Sequence, residues 1–245
     1  MTSIPHFVSE PAPLHSKARI VFKGDEQMQD WSNFLLGILF FFLSHSIPTR
    51  PKVKHRLVSI LGKRDFTLAY SILSIAALTI LILVARTAPH IPIWHWESWQ
   101  NHLALTLMFF AIILVALSVG RPNPLSFGGS DNALFDPNNP GIVGWFHHPL
   151  LVALLLWSSA HLVANGDLAH VIMFGLFGLF SLLGRTIINK RTRRELGTET
   201  WEALRKTRLG FKPSINGSIR FALGIVLFAA TVWAHEFIIG ISPLP

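Results

Sequence analysis

The sequence predicts an all-α membrane protein, a polytopic bundle of about six transmembrane helices, with five as the alternative count. Of the 245 residues, 51% are hydrophobic and 14% are charged, and the mean hydropathy is +0.46. A water-soluble domain of this size does not easily bury so large an apolar fraction. The apolar residues also fall in runs of about 20, the length that spans ~30 Å of hydrocarbon.

The predicted spans follow one another along the chain at 31–47, 66–86, 102–119, 148–165, 168–188 and 218–240. The first is short, and the fourth and fifth almost touch, which is why five spans remain an alternative. Before them, residues 1–30 form a polar N-terminal segment without the apolar core of a cleavable signal. The chain has no cysteine, so a bound metal must be held by nitrogen or oxygen atoms.

The formal net charge of +8 follows from membrane topology. Lys and Arg are concentrated between spans one and two and between spans five and six, and none occurs between spans two and three. The positive-inside rule then places the basic connections in the cytoplasm and both chain ends on the other side. We expect these connections to face anionic lipid, and we expect no nucleic-acid partner.

Three connections carry further patterns. Charged and apolar residues alternate at near-helical spacing over about 189–212, which predicts a cytoplasmic amphipathic segment. The connection 120–146 is rich in Pro, Gly, Asn and Asp, which predicts a long loop that is either a functional lid or a spacer. An aromatic stretch on the opposite side predicts interfacial anchoring, with a ligand cage as the alternative; it contains Trp94, Trp96 and Trp99.

His45 and His161 lie deep within apolar runs. An ionisable ring is costly in hydrocarbon, so such residues usually bind a ligand, an ion or a proton. Neutral imidazole is a good ligand for haem iron and for transition metals. We therefore predict that both residues are metal or haem ligands. The alternatives are a hydrogen bond between helices and, for His45, access to water at the helix end.

Other histidines are weaker candidates. His148 precedes Pro149 and is either functional or a simple helix-start residue beside His147. By the inferred topology, the outer ends of the spans carry His102, His170 and His235. The sequence contains no carboxylate pair, glycine-rich phosphate loop or nucleophile elbow, which argues against hydrolase and kinase chemistry.

Several short motifs occur in a characteristic order: HS at 45–46, YSILS at 70–74, NHLAL at 101–105, HHP at 147–149, SSAHLVANGD at 158–167 and KP at 212–213. Together they resemble the NnrU family of bacterial membrane proteins over most of residues 31–213. That family is associated with denitrification gene clusters and is similar to 15-cis-zeta-carotene isomerase, a membrane protein with haem b. The resemblance implies a transmembrane domain over 31–245 in the bacterial inner membrane.

By motif, the resemblance places the haem ligands on His45 and His161 and the isomerase's histidine-proline pair on His148 and Pro149. The candidate cofactor-binding residues are therefore His45, His161 and His148, together with His102 as an outer histidine. The resemblance implies a haem-dependent isomerase acting on a hydrophobic substrate, or a role with nitrogen oxides. Ser158 stands where the isomerase has a cysteine, proposed there as an alternate iron ligand, so exchange from sulfur to nitrogen is excluded here. His147 stands where the isomerase has an arginine.

The predicted topology argues against one iron bound by both His45 and His161. His45 is near the inner end of its span and His161 is ~13 residues into span four, so their depths differ by about 15 Å. We expect span one to be longer, tilted or broken, so that His45 reaches the centre. The alternative pairs His161 with an outer histidine such as His102.

Two other function classes remain. The first is a membrane methyltransferase, because the histidine-proline pair followed by a span and a charged segment is similar to the isoprenylcysteine carboxyl methyltransferase group. His147 and Leu151 depart from that pattern. The second is a non-enzymatic accessory protein that assists a partner membrane protein, such as a nitric oxide reductase.

Overall fold

The computed structural model describes residues 23–207 and 214–245, and the regular elements in these residues are helices. They are α1 (Lys23–Ser46), α2 (Pro51–Leu61), α3 (Lys63–Thr87), α4 (Ser98–Ser118), α5 (Ile142–Trp145), α6 (Pro149–Ala164), α7 (Leu168–Leu196), α8 (Thr198–Arg205) and α9 (Ile215–Ile239). A one-turn 3-10 helix covers Asn132–Leu134. The predicted all-α membrane bundle is confirmed.

Each predicted span contains one apolar helix, but the helices differ in length. By length and composition, α3, α4, α7 and α9 can cross a membrane, and α1 with α2 forms a further candidate, bent by 71°. Helix α6 has 16 residues, roughly 24 Å, which is short of the ~30 Å hydrocarbon core. It packs against α4 on one side and α7 on the other, so a large part of its surface faces protein.

The basic connection after α1 is itself helical. Pro51 stands in the first turn of α2, a position where its missing N–H and fixed φ are compatible with a helix. Gly62, at φ 84, joins α2 to α3, a backbone conformation that only glycine takes without cost. The basic side chains of α2 therefore lie along an exposed surface helix.

Helix α7 continues beyond the predicted span. Residues 189–196 of the expected amphipathic segment form its last two turns, 198–205 form α8, and 208–212 lie outside the described residues. Trp201 of α8 is buried, and the guanidinium groups of Arg193 and Arg205 lie 5.5 and 4.4 Å from its ring centre.

The main apolar cluster joins α1, α3 and α7. Its buried members are Phe34, Phe41, Ala77, Leu81, Ala85, Ala169, Met173, Phe174 and Phe177. A second group forms where α4 packs against α6 and α9. In that group, a Cβ on Gly224 would lie 2.7 Å from Ile113 Cδ1, so a small residue permits the close approach of the two helices.

The connection before α4 closes the turn between α6 and α7. The Ile93 N–H donates to the Gly166 carbonyl (2.6 Å), and the Leu168 N–H donates to the Ile91 carbonyl (2.9 Å). Trp94 donates its indole N–H to the Val163 carbonyl (3.2 Å). Trp94 thus fixes the end of α6, whereas Trp96 and Trp99 are exposed.

The connection between α4 and α6 is a packed loop. Asn123 is buried, and its side chain accepts from the Leu125 N–H (3.1 Å) and donates to the His147 carbonyl (3.1 Å). Its own N–H donates to the Asn132 side chain (2.9 Å). These bonds set the position of the chain just before α6.

Candidate functional site

His45 has a fixed hydrogen bond within its own helix. Its Nδ1 donates to the Phe41 carbonyl (2.8 Å), and its ring stacks on the Phe41 ring with centroids 4.0 Å apart. Because a carbonyl only accepts, the neutral ring carries its proton on Nδ1 and its lone pair on Nε2. The Tyr70 hydroxyl donates to the His45 carbonyl (3.3 Å) and so ties this end of α1 to α3.

His161 has the same local arrangement. Its Nδ1 donates to the Trp157 carbonyl (2.8 Å), which again leaves the lone pair on Nε2. The ring centres of Trp157 and Phe174 each lie 5.0 Å from the imidazole. The Asn165 amide donates to the His161 carbonyl (2.7 Å), so the predicted turn after this helix also holds the residue in place.

An aromatic cluster lies between the two imidazoles; it consists of Phe41, Trp157, Phe174 and Phe177. Phe177 of α7 contacts Phe41 at 5.1 Å and Trp157 at 5.4 Å between ring centres. His45 and His161 thus border one cluster from α1 and α6 but are not neighbours. Helices α1 and α2 are bent by 71° at a break that follows Ser46. This bend does not itself carry His45 toward the centre, so the expected depth of His45 stays a prediction.

The remaining histidines lie in different surroundings. His170 hydrogen-bonds through Nδ1 to the Asp167 carboxylate, which also caps the start of α7, and its ring stacks near Phe174. His235 donates from Nδ1 to the Ile241 carbonyl (2.8 Å), and His102 is exposed on α4. Within 23–207 and 214–245, no group of three or more His, Asp or Glu side chains is arranged to hold a metal ion.

The donor chemistry of His45 and His161 fits haem. A ligating histidine usually has its second ring nitrogen held by a carbonyl or carboxylate, which fixes the tautomer and orients the ring. Both imidazoles have that feature, since each Nδ1 is held by a backbone carbonyl in its own helix. Aromatic side chains surround both imidazoles.

A second site lies at the start of α6. A cavity of about 330 Å³ is lined by Trp145, Phe146, His147, His148, Val152, Arg185, Asn189 and Arg205; we call it the basic cavity. His148 is 4% exposed, and its Nε2 lies 3.0 Å from the Asn189 Oδ1. Its buried Nδ1 has no hydrogen-bond partner in the described part of the chain.

Burial keeps the histidines of the basic cavity neutral. It lowers the pKa of His148, although the bond to Asn189 partly opposes the effect. It also lowers the pKa of His147, with a further contribution from the positive charge of Arg205. Neutral His148 therefore donates from Nε2 to Asn189 and presents a lone pair on Nδ1.

The sequence indicates His148 as a candidate but not its neighbours Arg185, Asn189 and Arg205. Arg185 had a detectable signal, because it is a charged residue within the fifth predicted span, the feature that drew attention to the histidines. Asn189 and Arg205 lie 41 and 57 residues after His148, and only the packing of α6, α7 and α8 brings them together.

Comparison with curated proteins gave no match, and neither did comparison with solved structures. The family model described as NnrU protein matches residues 33–243. The match begins within α1 and includes every later helix through α9. The chain therefore belongs to the NnrU family.

Proposed function

We propose that this integral membrane protein of the NnrU family binds haem b through His45 and His161. The observation that supports the proposal is the shared state of the two rings, each with Nδ1 bonded to a carbonyl four residues earlier and Nε2 left as the ligand atom. Bound haem would supply one-electron chemistry.

The protein's own residues have three tasks in this proposal. The carbonyls of Phe41 and Trp157 hold the ring tautomers and raise the basicity of Nε2. The aromatic cluster gives both imidazoles apolar surroundings, which favour an apolar ligand. Tyr70 and Asn165 bond the carbonyls of the two histidines and limit movement of the helix ends.

The test is an absorption spectrum of the detergent-solubilised protein, oxidised and reduced, after expression with added haem precursor. A six-coordinate low-spin Soret band is expected, and it should be lost in His45→Ala and in His161→Ala. The matched control is His55→Ala, an exposed histidine on α2, which should keep the band.

Three outcomes bear on the ligand pair. Loss of the band in His161→Ala and His102→Ala, with retention in His45→Ala, would replace the proposed pair by the alternative one. Loss in His161→Ala and His170→Ala would place both ligands at the outer end of the bundle. A protein without any Soret band under these conditions would contradict haem binding.

The chemistry that we assign to the haem acts on molecules dissolved in the bilayer. We propose an isomerase-like reaction on a hydrophobic polyene or a role with nitric oxide, in the bacterial inner membrane. The methyltransferase alternative predicts a different result, saturable binding of S-adenosylmethionine by a protein without haem.

One observation favours an accessory role as the second candidate. Helix α9 is the least buried of the four long apolar helices among the described residues, and it exposes Trp233, Phe237 and Ile238. Such a face is covered by lipid or by a partner membrane protein. Site-specific photocrosslinking from position 237 in cells should give a discrete protein adduct if the accessory role is correct, and lipid adducts alone would contradict it.

A further inference from the structure

We infer that the basic cavity beside His148 binds a phosphomonoester group. This site is separate from the proposed haem ligands, because His148 precedes the first residue of α6 whereas His161 lies in its last turn. Its residues come from the segment before α6, from α7 and from α8, so a ligand is contacted from several directions.

The charge of the basic cavity selects an anion. Arg185 and Arg205 line it, and the lining within the described residues includes no Asp or Glu. The Arg–Glu pairs found in that part of the chain involve Arg191 with Glu195 and Arg193 with Glu202, so they do not neutralise the two lining arginines. The first turn of α6 adds the positive end of a helix dipole.

Arg205 is positioned before any ligand binds. Its guanidinium lies over the buried Trp201 ring at 4.4 Å, a cation–π contact that limits the freedom of a long side chain. His147 lines the same cavity as Arg205, so α8 lies beside the segment before α6. An oriented guanidinium suits bidentate recognition of phosphate oxygens.

His148 makes the site specific for a monoester. With Nε2 bonded to Asn189, the buried Nδ1 is an acceptor without a partner among the described residues, and such a group is costly unless a ligand satisfies it. A phosphomonoester has a second pKa of about 6 and so keeps a P–OH donor for part of its population. A phosphodiester has no such proton, and a carboxylate has only two oxygens for the surrounding donors.

The cavity volume of about 330 Å³ exceeds that of one phosphate group. Trp145, Phe146 and Val152 form an apolar part of the lining, next to which an organic substituent can lie. Inorganic phosphate, a soluble phosphate ester and the headgroup of phosphatidic acid all present the same group, so the experiment must separate the soluble source from the lipid.

The experiment uses the full chain in detergent and in nanodiscs, in phosphate-free buffer. Inorganic phosphate is titrated by calorimetry, and binding to nanodisc lipid is compared for phosphatidic acid, a monoester, and phosphatidylglycerol, a diester. We expect the monoester to bind at least about tenfold more tightly than the diester. Phosphate binding without preference for phosphatidic acid identifies a soluble ligand, and preference for phosphatidic acid identifies a lipid; either result supports the site.

Arg205→Gln should weaken binding of the monoester about tenfold or more. Arg193→Gln is the matched control, because Arg193 also lies near the Trp201 ring, at 5.5 Å, but does not line the cavity. If Arg205→Gln fails to fold, Arg185→Gln against Arg191→Gln provides the same comparison on α7. The inference is overturned if inorganic phosphate does not bind and phosphatidic acid is not preferred over phosphatidylglycerol. It is also overturned by equal effects of a lining arginine and its control, or by binding of S-adenosylmethionine in place of phosphate.

Discussion

The aromatic cluster and the basic cavity use the same residue type in opposite ways. Around the cluster, His45 and His161 have Nδ1 held by a backbone carbonyl and present Nε2. In the cavity, His148 has Nε2 held by the Asn189 side chain and presents Nδ1. The hydrogen-bond partner thus decides which ring nitrogen is offered. The apolar surroundings suit a metal-bearing cofactor, whereas the arginines suit an anion.

The largest effect should come from breaking the aromatic cluster. Phe177 is 6% exposed and contacts both Phe41 and Trp157. Phe177→Ala removes the ring that joins the two halves and should lower the free energy of unfolding by about 3–5 kcal/mol. Thermal and denaturant unfolding in detergent measure the loss.

Phe180→Ala provides the control for that experiment, because Phe180 is on the same helix but is 48% exposed. It should change stability by much less. Equal losses in the two variants would show that the cluster is no more important for packing than the lipid-facing surface of α7.

The next effect concerns the turn that holds His161. A Cβ on Gly166 would lie 2.1 Å from the Trp94 carbonyl oxygen, and backbone cannot move aside as a side chain can. Gly166→Ala should therefore destabilise the protein by about 1–3 kcal/mol. Gly175→Ala, in α7 with no atom within 4 Å of the new Cβ, should instead stabilise by about 0.5–1 kcal/mol. Unfolding curves of the two variants measure these changes. A Gly166→Ala variant that is more stable than the Gly175→Ala variant would contradict the close contact between Gly166 and Trp94.

The basic cavity gives a change of the same order. Asn189→Leu keeps the size of the side chain but removes the acceptor of the His148 Nε2–H bond, leaving that group buried without a partner at a cost of about 1–3 kcal/mol. Thr186→Val, an exposed site on the same helix, should be nearly neutral. Chemical unfolding of both variants tests whether Asn189 acts through His148, since the cost should be absent in a His148→Gln background.

The fold was largely predictable because span length and composition depend on local sequence. A helix lies in each of the six apolar runs, and the helix start at Pro149 and the turn at Asn165–Asp167 occur where the sequence predicts them. Among the described residues, four helices are long and apolar enough to cross a membrane, or five with the bent pair of α1 and α2, so the alternative count of five fits better than six. The helical form of the connection 51–61 was missed. Its basic residues indicate topology, whereas its helicity depends on Pro51 at the first turn and on the link through Gly62.

The candidate sites were less predictable because they depend on contacts between distant segments. Apolar surroundings identified His45 and His161 from sequence, but the rings between them come from α1, α6 and α7 together. In the same way His148 was visible beside Pro149, while its contact with Asn189 joins residues 41 positions apart. A residue's chemistry is local, but the nitrogen that it presents is set by a neighbour that sequence spacing does not reveal.

The smallest expected effect is a dependence of stability on pH, since it changes a proton rather than packed atoms. In the folded protein the pKa of His148 and that of His147 lie below 6.5, mainly because of burial. The unfolded chain therefore binds more protons as the pH falls below about 6.5, and the free energy of unfolding should decrease there. Above that pH both forms are neutral, and this contribution to stability is fully present.

His148→Gln should make unfolding less sensitive to pH between 7.5 and 5.5, and adding His147→Gln should reduce the slope further. Replacing the exposed His55 by Gln is the control and should leave the slope as it is. The measurement is equilibrium unfolding in phosphate-free buffer, because a bound anion would favour protonated His148 and mask the effect. An unchanged slope in the double variant would mean that the two imidazoles bind protons equally well in the folded protein and in the unfolded chain. That result would contradict the effect of burial on their pKa values.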